Sequence, residues 1–235
     1  MLFEDRHEAG ARLASELLAL EAQGKLDPTQ AVIVALPRGG VAVGYEIGRQ
    51  LNIPLDVCIV RKVSDPAHPE LALALAAVAE NNACVINEDI VASQGLSDVH
   101  LQQWIQTQHL EVQRRIKKFR ADTPPIELAG KTIILVDDGV ATGATALAAI
   151  QALRTRQVRK IILALPVCAP DIRLRLEHRV DELVILQSPE FFQAVGQWYE
   201  NFPQVTDEEV RSYLRRAQGF SRSAIRLKAP NIDKT

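Results

Sequence analysis

Uninterrupted apolar runs alternate along this chain with segments whose apolar residues have helical spacing. Apolar runs are typical of strands that are buried on both faces of a parallel sheet. In chain order the pattern predicts a helix over 5–23, a strand over 31–36, a helix ending at 51, strands over 54–60 and 83–86, a helix over 97–120, a strand over 133–136, a helix over 144–154, a strand over 160–167, a helix over 170–177, a strand over 181–186 and a helix over 206–217. This alternation predicts an α/β fold with a doubly wound parallel sheet and right-handed crossovers.

Polar residues follow the strand over 133–136 where a ligand site is expected. Two adjacent carboxylates, Asp137 and Asp138, come first, and a run of small residues over 139–145 leads into the next helix. Ligands of open α/β sheets bind beyond the carboxyl ends of the strands. A small-residue turn that enters a helix presents free N–H groups, which suit a phosphate. Carboxylates repel a phosphate but accept hydrogen bonds from hydroxyl groups, such as a ribose diol. The pattern therefore predicts a sugar-phosphate site.

The string from Val136 to Thr145, Val-Asp-Asp-Gly-Val-Ala-Thr-Gly-Ala-Thr, resembles the phosphoribosyl pyrophosphate signature of the type I phosphoribosyltransferases. The alternative is a plain strand–turn–helix with solvated aspartates. The resemblance covers about residues 5–217 and implies Mg²⁺-dependent transfer of the 5-phosphoribosyl group from phosphoribosyl pyrophosphate to a nucleophile, with release of pyrophosphate. It implies that Asp137 and Asp138 bind the ribose hydroxyls and that Mg²⁺ is bound to the pyrophosphate of the donor, near these carboxylates. The implied 5-phosphate ligands are Ala141, Thr142, Gly143, Ala144 and Thr145.

The turn after the first strand, Pro37-Arg38-Gly39-Gly40, is a second candidate site. Taken alone it is an ordinary turn in which glycine supplies a positive φ. The resemblance instead implies a pyrophosphate loop, with Arg38, Gly39 and Gly40 as ligands and a cis peptide bond between Pro37 and Arg38.

Two further segments correspond to segments that, in members of this family, contact pyrophosphate or close over the reaction centre. Arg61 and Lys62 follow the predicted strand over 54–60, and cations there face the same crevice unless they are simply solvated. The proline-containing stretch after them corresponds to the flexible loop that closes over the reaction centre. Within it, His68 and Glu70 are either lid residues that contact pyrophosphate or the leaving group, or ordinary surface residues.

Aromatic residues are concentrated in the C-terminal part of the chain. In related enzymes a hood of variable origin covers the base, so Trp198 and Tyr199 are candidates for stacking on the acceptor. The alternative is that these rings form the hood core or a dimer interface. The string from Phe192 to Phe202 resembles the end of a bacterial group of phosphoribosyltransferases whose acceptor is open. Ala141 stands where the hypoxanthine-guanine branch has an aspartate, and the tail does not resemble the adenine branch, so the acceptor base stays open here too.

The length of 235 residues suits one α/β domain. We predict a single domain over 1–217, with a helical insertion over 88–125, an aromatic-rich hood and C-terminal helix over 187–217, and a disordered tail over 218–235. A homo-oligomer, most simply a dimer, is expected.

Charge and composition exclude several other classes. The formal net charge of −2 gives no electrostatic reason to bind nucleic acid or a membrane. No bilayer-length apolar run and no signal peptide pattern are present, so a cytoplasmic protein is expected. Cys58, Cys84 and Cys168 are far apart within apolar segments and are expected to be buried thiols.

Two other functions remain open at the level of sequence. One is a non-catalytic regulator that binds the donor, which the basic end of the predicted helix, residues 114–120, would support if it is not merely a solvated face. The other is a hydrolase of ribose-phosphate esters, for which the sequence offers only His68 and Glu70.

Overall fold

The structure is a computed structural model, and it describes residues 2–64, 75–80, 84–94, 96–120 and 123–220. The proposed lid residues His68 and Glu70 lie outside the described residues. No helix within these ranges is long and apolar enough to cross a membrane.

Five parallel strands form the central sheet, as the apolar runs predicted. The strands of the described residues are β1 (Ala31–Ala35), β2 (Leu55–Val57), β3 (Arg61–Val63), β4 (Ala76–Val78), β5 (Cys84–Ile86), β6 (Thr132–Val136), β7 (Lys160–Val167) and β8 (Glu182–Gln187). The order in the central sheet is β2-β1-β6-β7-β8. Strands β1 and β6 are therefore neighbours, with Ala35 opposite Val136 at their carboxyl ends.

Helices cover both faces of this sheet. They are α1 (Arg6–Ala22), α2 (Gly39–Leu51), α3 (Glu88–Ser93), α4 (Asp98–Arg120), α5 (Ala144–Arg154), α6 (Pro170–Glu177) and α7 (Asp207–Ala217). Alternate side chains of each strand enter different cores: Ile33 packs with α1, α2 and α7, whereas Val34 packs with α5 and α6. Strands β1, β6 and, after its first residue, β7 are buried on both faces, so their sequences are almost wholly apolar, whereas the edge strand β8 is half-buried and begins with Glu182. The doubly wound fold is thus confirmed.

A second, antiparallel sheet of order β3-β4-β5 lies against α4. The prediction of one strand over 54–60 that ends at Arg61 and Lys62 was wrong, because β2 ends at Val57 and Arg61–Val63 pairs with β4. Local β propensity could not show that two short strands belong to different sheets. Cys84, on β5, is exposed rather than buried, unlike the other two thiols.

The N-terminal and C-terminal segments of the described chain meet above the carboxyl ends of the sheet. Phe3 pairs with Tyr199 in a parallel bridge, and the amide of Phe3 donates to the Trp198 carbonyl oxygen at 2.8 Å.

Thr206 caps α7, since its hydroxyl accepts from the Glu209 amide at 3.1 Å while the Glu209 carboxylate accepts from the Thr206 amide at 2.7 Å. The domain bounds stay a prediction, and Phe220, which was assigned to the tail, packs on Tyr45 with ring centroids 5.5 Å apart.

Candidate active site

Two loops meet where the neighbouring strands β1 and β6 end. The first is the turn that begins at Pro37, and its preceding residue Leu36 donates its amide to the Val136 carbonyl oxygen at 2.9 Å. The second begins with Asp137 and Asp138. The predicted pyrophosphate loop and the predicted ribose carboxylates are therefore side by side at one edge of the sheet.

Gly39 and Gly40 are required by this close contact and not by a positive φ. Neither glycine has a positive φ. A Cβ on Gly39 would lie 1.7 Å from Asp138 Oδ2, and one on Gly40 would lie 2.8 Å from the Asp137 Cα. The Pro37–Arg38 peptide bond is cis, which confirms the bond that the resemblance implied.

Arg6 is a residue of this site that the sequence did not reveal. It begins α1, is only 7% exposed, and donates from Nε to Asp138 Oδ2 at 2.8 Å. Its Nη1 donates to the Pro203 carbonyl oxygen at 2.7 Å, and its guanidinium lies 3.7 Å from the centroid of the Phe202 ring. One of the two predicted diol acceptors thus already has a cationic partner in this structure. No local pattern signals a pair whose members are 132 residues apart.

The two carboxylates have different environments. Burial is the main cause that raises the pKa of Asp137 well above its usual range, and the neighbouring charge of Asp138 adds to it. Burial also raises the pKa of Asp138, but the guanidinium of Arg6 opposes this shift. An oxygen of Asp137 accepts from the Asp138 amide at 2.9 Å. Asp137 is therefore the more easily protonated carboxyl, and Asp138 the better supported anion.

The small-residue loop presents the N-terminus of α5 to the same crevice. Gly143, the N-cap residue, has a φ of 75°, and a Cβ there would lie 2.7 Å from Ile172 Cγ2, so only glycine fits. No side chain caps the helix, and its first N–H groups are therefore available to a ligand. Ala141 and Thr142 are exposed, whereas Ala144 and Thr145 are half-buried.

The aromatic hood covers the carboxylates from the other side. Tyr199 is 5% exposed and lies between Phe3 and Phe202, with ring centroids 5.4 and 4.8 Å away. Its hydroxyl donates to the Asp138 carbonyl oxygen at 2.5 Å. Burial is the main cause that raises the pKa of Tyr199 far above its usual range. Tyr199 thus belongs to the hood core, which was one of the two interpretations of these aromatics.

Trp198 remains accessible in part. Its ring stacks on Phe192 with centroids 6.4 Å apart and an interplanar angle of 21°. Its Nε1 is buried and has no hydrogen-bond acceptor among the described residues. The adjoining Phe191 is 88% exposed. An apolar, ring-lined surface therefore adjoins the hood.

Cations of the pyrophosphate loop and of α4 meet at one carboxylate, Asp207. Arg38 Nη1 is 3.6 Å from Asp207 Oδ1, and Lys118 Nζ of α4 is 2.5 Å from Asp207 Oδ2. Arg61 Nε donates to Gln108 of α4 at 3.2 Å, so this candidate residue contacts the insertion helix. Lys62 is half-buried on the same strand, β3, but successive side chains of a strand point to opposite faces, so the contact of Arg61 does not place Lys62 in the crevice. Lys118, at the basic end of α4, therefore contacts another element of the chain and is not only solvated.

Comparison with known proteins agrees with this geometry. Residues 4–200 match the family model described as the phosphoribosyl transferase domain. The chain belongs to this phosphoribosyl transferase family. Proteins from two strains of Mycobacterium tuberculosis, provisionally named phosphoribosyl transferases, are 42% identical over 216 residues, which is 92% of this chain and 47% of theirs.

The crystal structure of TT1426 from Thermus thermophilus is similar along its whole length. It has a TM-score of 0.80 and 38% identity, and the match covers 94% of this chain and 100% of that one. The chain thus spans about half the length of the curated relatives it matches, whereas its match to TT1426 covers the full length of that chain.

Proposed function

We propose that this chain transfers the 5-phosphoribosyl group from phosphoribosyl pyrophosphate to a nitrogenous acceptor, a nucleobase by preference, and releases pyrophosphate. One observation carries the proposal. The turn that contains Gly39 and Gly40 abuts Asp137 and Asp138, beside the N-terminus of α5, which no side chain caps. These three features would give the pyrophosphate, the diol and the monophosphate of the donor one subsite each within one crevice, in the order in which the donor carries these groups.

The chain's own residues would stabilise the transition state at both ends of the breaking bond. Positive charge develops at C1 of the ribose, and the carboxylates of Asp137 and Asp138 lie beside it while they hold the ribose hydroxyls. Negative charge develops on the leaving pyrophosphate, where Arg38 and the backbone of Gly39 and Gly40 stabilise it. Lys62 and Arg61 are additional candidates for this charge. The residues Ala141, Thr142, Gly143, Ala144 and Thr145 fix the 5-phosphate.

The residues present fit a magnesium ion that arrives on the donor. Mg²⁺ binds through one or two carboxylates together with substrate phosphates and water. Among the described residues no group of three or more His, Cys, Asp or Glu side chains could hold a metal. Asp137 and Asp138 could supply the one or two carboxylates that the ion needs, and the bound ion would neutralise charge on pyrophosphate.

The acceptor would bind under the hood. Because Tyr199 is enclosed by other rings, Trp198 is the better candidate for stacking on a planar base. Base–aromatic stacking contributes about 1–3 kcal/mol. We further propose that His68 and Glu70 belong to a lid over the site. We also propose that the protein is cytoplasmic, forms a homodimer and acts in nucleotide salvage.

The test is release of pyrophosphate from phosphoribosyl pyrophosphate with Mg²⁺, in the presence and absence of a panel of purines, pyrimidines and small amines. We expect release that depends on one class of acceptor, and we expect the double variant Asp137→Asn/Asp138→Asn to lose it while remaining folded. Asp89→Asn, an exposed aspartate of α3, is the matched control. Binding of the donor without release under any acceptor would favour a regulator. Unchanged turnover in the double variant would refute the roles of the aspartates.

A further inference from the structure

Asp207 holds cations from two separate elements of the crevice. It is the first residue of α7, and its two carboxylate oxygens have different partners. Oδ1 is 3.6 Å from Nη1 of Arg38, the cation of the pyrophosphate loop, and Oδ2 is 2.5 Å from Nζ of Lys118. One carboxylate therefore joins the pyrophosphate loop to the helical insertion.

Positive charge exceeds negative charge around this carboxylate. Arg114 and Arg115 each donate to Glu111 at 2.7 Å, and Arg115 also acts electrostatically on Asp207. Burial and the nearby Arg115 lower the pKa of Arg61. The cations that interact with Asp207 are Arg38, Arg114, Arg115 and Lys118, and Glu111 is the other carboxylate that pairs with two of them. A site with this excess charge favours a multivalent anion.

The role of Asp207 in the helix does not require these contacts. An acidic residue in the first turn of a helix is favourable because of the helix dipole, but Glu208 and Glu209 also lie there. Glu209 forms the capping box with Thr206, and Glu208 lies 3.8 Å from Arg211 of the same helix. Of the three acidic residues in this first turn, only Asp207 pairs with both Arg38 and Lys118.

We propose that Asp207 occupies the position of the donor's pyrophosphate between Arg38 and Lys118 in the donor-free protein, and that Lys118 of the insertion is a pyrophosphate-binding residue. The proposal rests on the proposed function. The Asp207 carboxylate competes with an arriving anion for the positive charge of Arg38 and Lys118, so the anion displaces this carboxylate. Lysine binds phosphate as a point charge, whereas the backbone of the loop supplies directed N–H donors. When pyrophosphate leaves, Asp207 returns to the two cations and assists its release.

The test is calorimetric titration of inorganic pyrophosphate with Mg²⁺ into the wild type and two variants. Asp207→Asn removes the competing charge but keeps the side-chain shape, and we expect pyrophosphate to bind about three- to tenfold more tightly, as expected for loss of one or two partly exposed ion pairs. Lys118→Met should bind it about three- to tenfold more weakly. The double variant should lie between the two.

Matched controls come from the neighbouring positions. Glu208→Gln removes an acid from the same helical turn, and Lys117→Met removes an exposed cation one residue before Lys118. Both controls should stay within about twofold of the wild type, because these side chains are not placed at the pyrophosphate. Thermal melting of each variant shows that it is folded.

The outcomes separate this inference from the proposed function. If the wild type binds neither pyrophosphate nor phosphoribosyl pyrophosphate, the proposed function fails. If the wild type binds both but Asp207→Asn binds pyrophosphate equally or more weakly, Asp207 is not a stand-in for the anion. If Lys118→Met matches Lys117→Met, the insertion does not supply a pyrophosphate ligand.

Discussion

Removing Arg6 should destabilise the protein in a manner that depends on pH. In the variant Arg6→Met the aliphatic part of the side chain remains, but Asp138 loses the guanidinium that donates to it at 2.8 Å. The side chains of Arg6 and Asp138 are only 9% and 15% exposed, so water cannot easily replace this partner. The contact with Phe202 and the hydrogen bond to the Pro203 carbonyl oxygen are lost at the same time.

The expected cost follows from burial of the unpaired carboxylate. Breaking a buried ion pair by removal of one partner costs about 3–5 kcal/mol. In a domain of this size each kcal/mol lowers Tm by about 2–4 °C, so the loss in Tm near neutral pH should be roughly 6–20 °C. Arg6 lowers the pKa of Asp138, so its contribution is present where Asp138 is ionised and is lost as the pH falls through the pKa of this group. The difference in Tm should therefore shrink on acidification.

The assay is thermal unfolding followed by circular dichroism at several pH values. Arg12→Met is the matched control, because Arg12 lies on the same helix and pairs with Glu8 one turn away, with its side chain 37% exposed. It should cost no more than about 1–2 kcal/mol at any pH, because the exposed ion pair and the contact of the guanidinium with the Phe3 ring each contribute about 1 kcal/mol or less. The double variant Arg6→Met/Asp138→Asn should recover much of the lost stability. An Arg6→Met protein that melts with the wild type, or a loss that does not change with pH, would refute this account of the pair.

Two further changes test the carboxylate and the glycine beside it. Because the pKa of Asp137 is raised in the folded protein, its ionisation opposes folding once the pH exceeds the usual carboxyl range. Asp137→Asn should therefore raise Tm near pH 7, and this gain should vanish near about pH 4. A gain in Tm that does not depend on pH would contradict the raised pKa. Gly39→Ala places a Cβ 1.7 Å from Asp138 Oδ2 and 3.1 Å from Arg6 Nε. Calorimetry should therefore show that pyrophosphate binds at least about tenfold more weakly, and unfolding should show that the free energy of unfolding falls by about 1–3 kcal/mol. The control Gly219→Ala, whose Cβ would have no atom within 4 Å, should change neither quantity.

Sequence reasoning succeeded where the signal was local. The apolar runs that became β1, β6 and β7 are buried on both faces, and this burial is what their composition reports. The run of small residues before α5 was likewise a local signal, and in the structure it leads directly into the N-terminus of that helix. The position of the carboxylates at a strand end followed from the same pattern.

Long-range partners could not be predicted in this way. The Arg6–Asp138 pair joins the first helix to the loop after β6, and the Asp207 contacts join α7 to both the pyrophosphate loop and α4. Each depends on how the termini and the insertion pack around the sheet, which no residue spacing encodes. The need for glycine at position 39 also differs from the expected one, because it arises from a carboxylate nearly 100 positions away rather than from a turn.

The most direct test of the central claim is calorimetric titration of phosphoribosyl pyrophosphate into the wild-type protein with Mg²⁺, repeated in the presence of ribose 5-phosphate and of pyrophosphate. The account predicts one donor bound per chain, competition by each fragment alone, and no binding to Asp137→Asn/Asp138→Asn. Failure of the donor to bind, or binding that neither fragment displaces and the double variant retains, would contradict it.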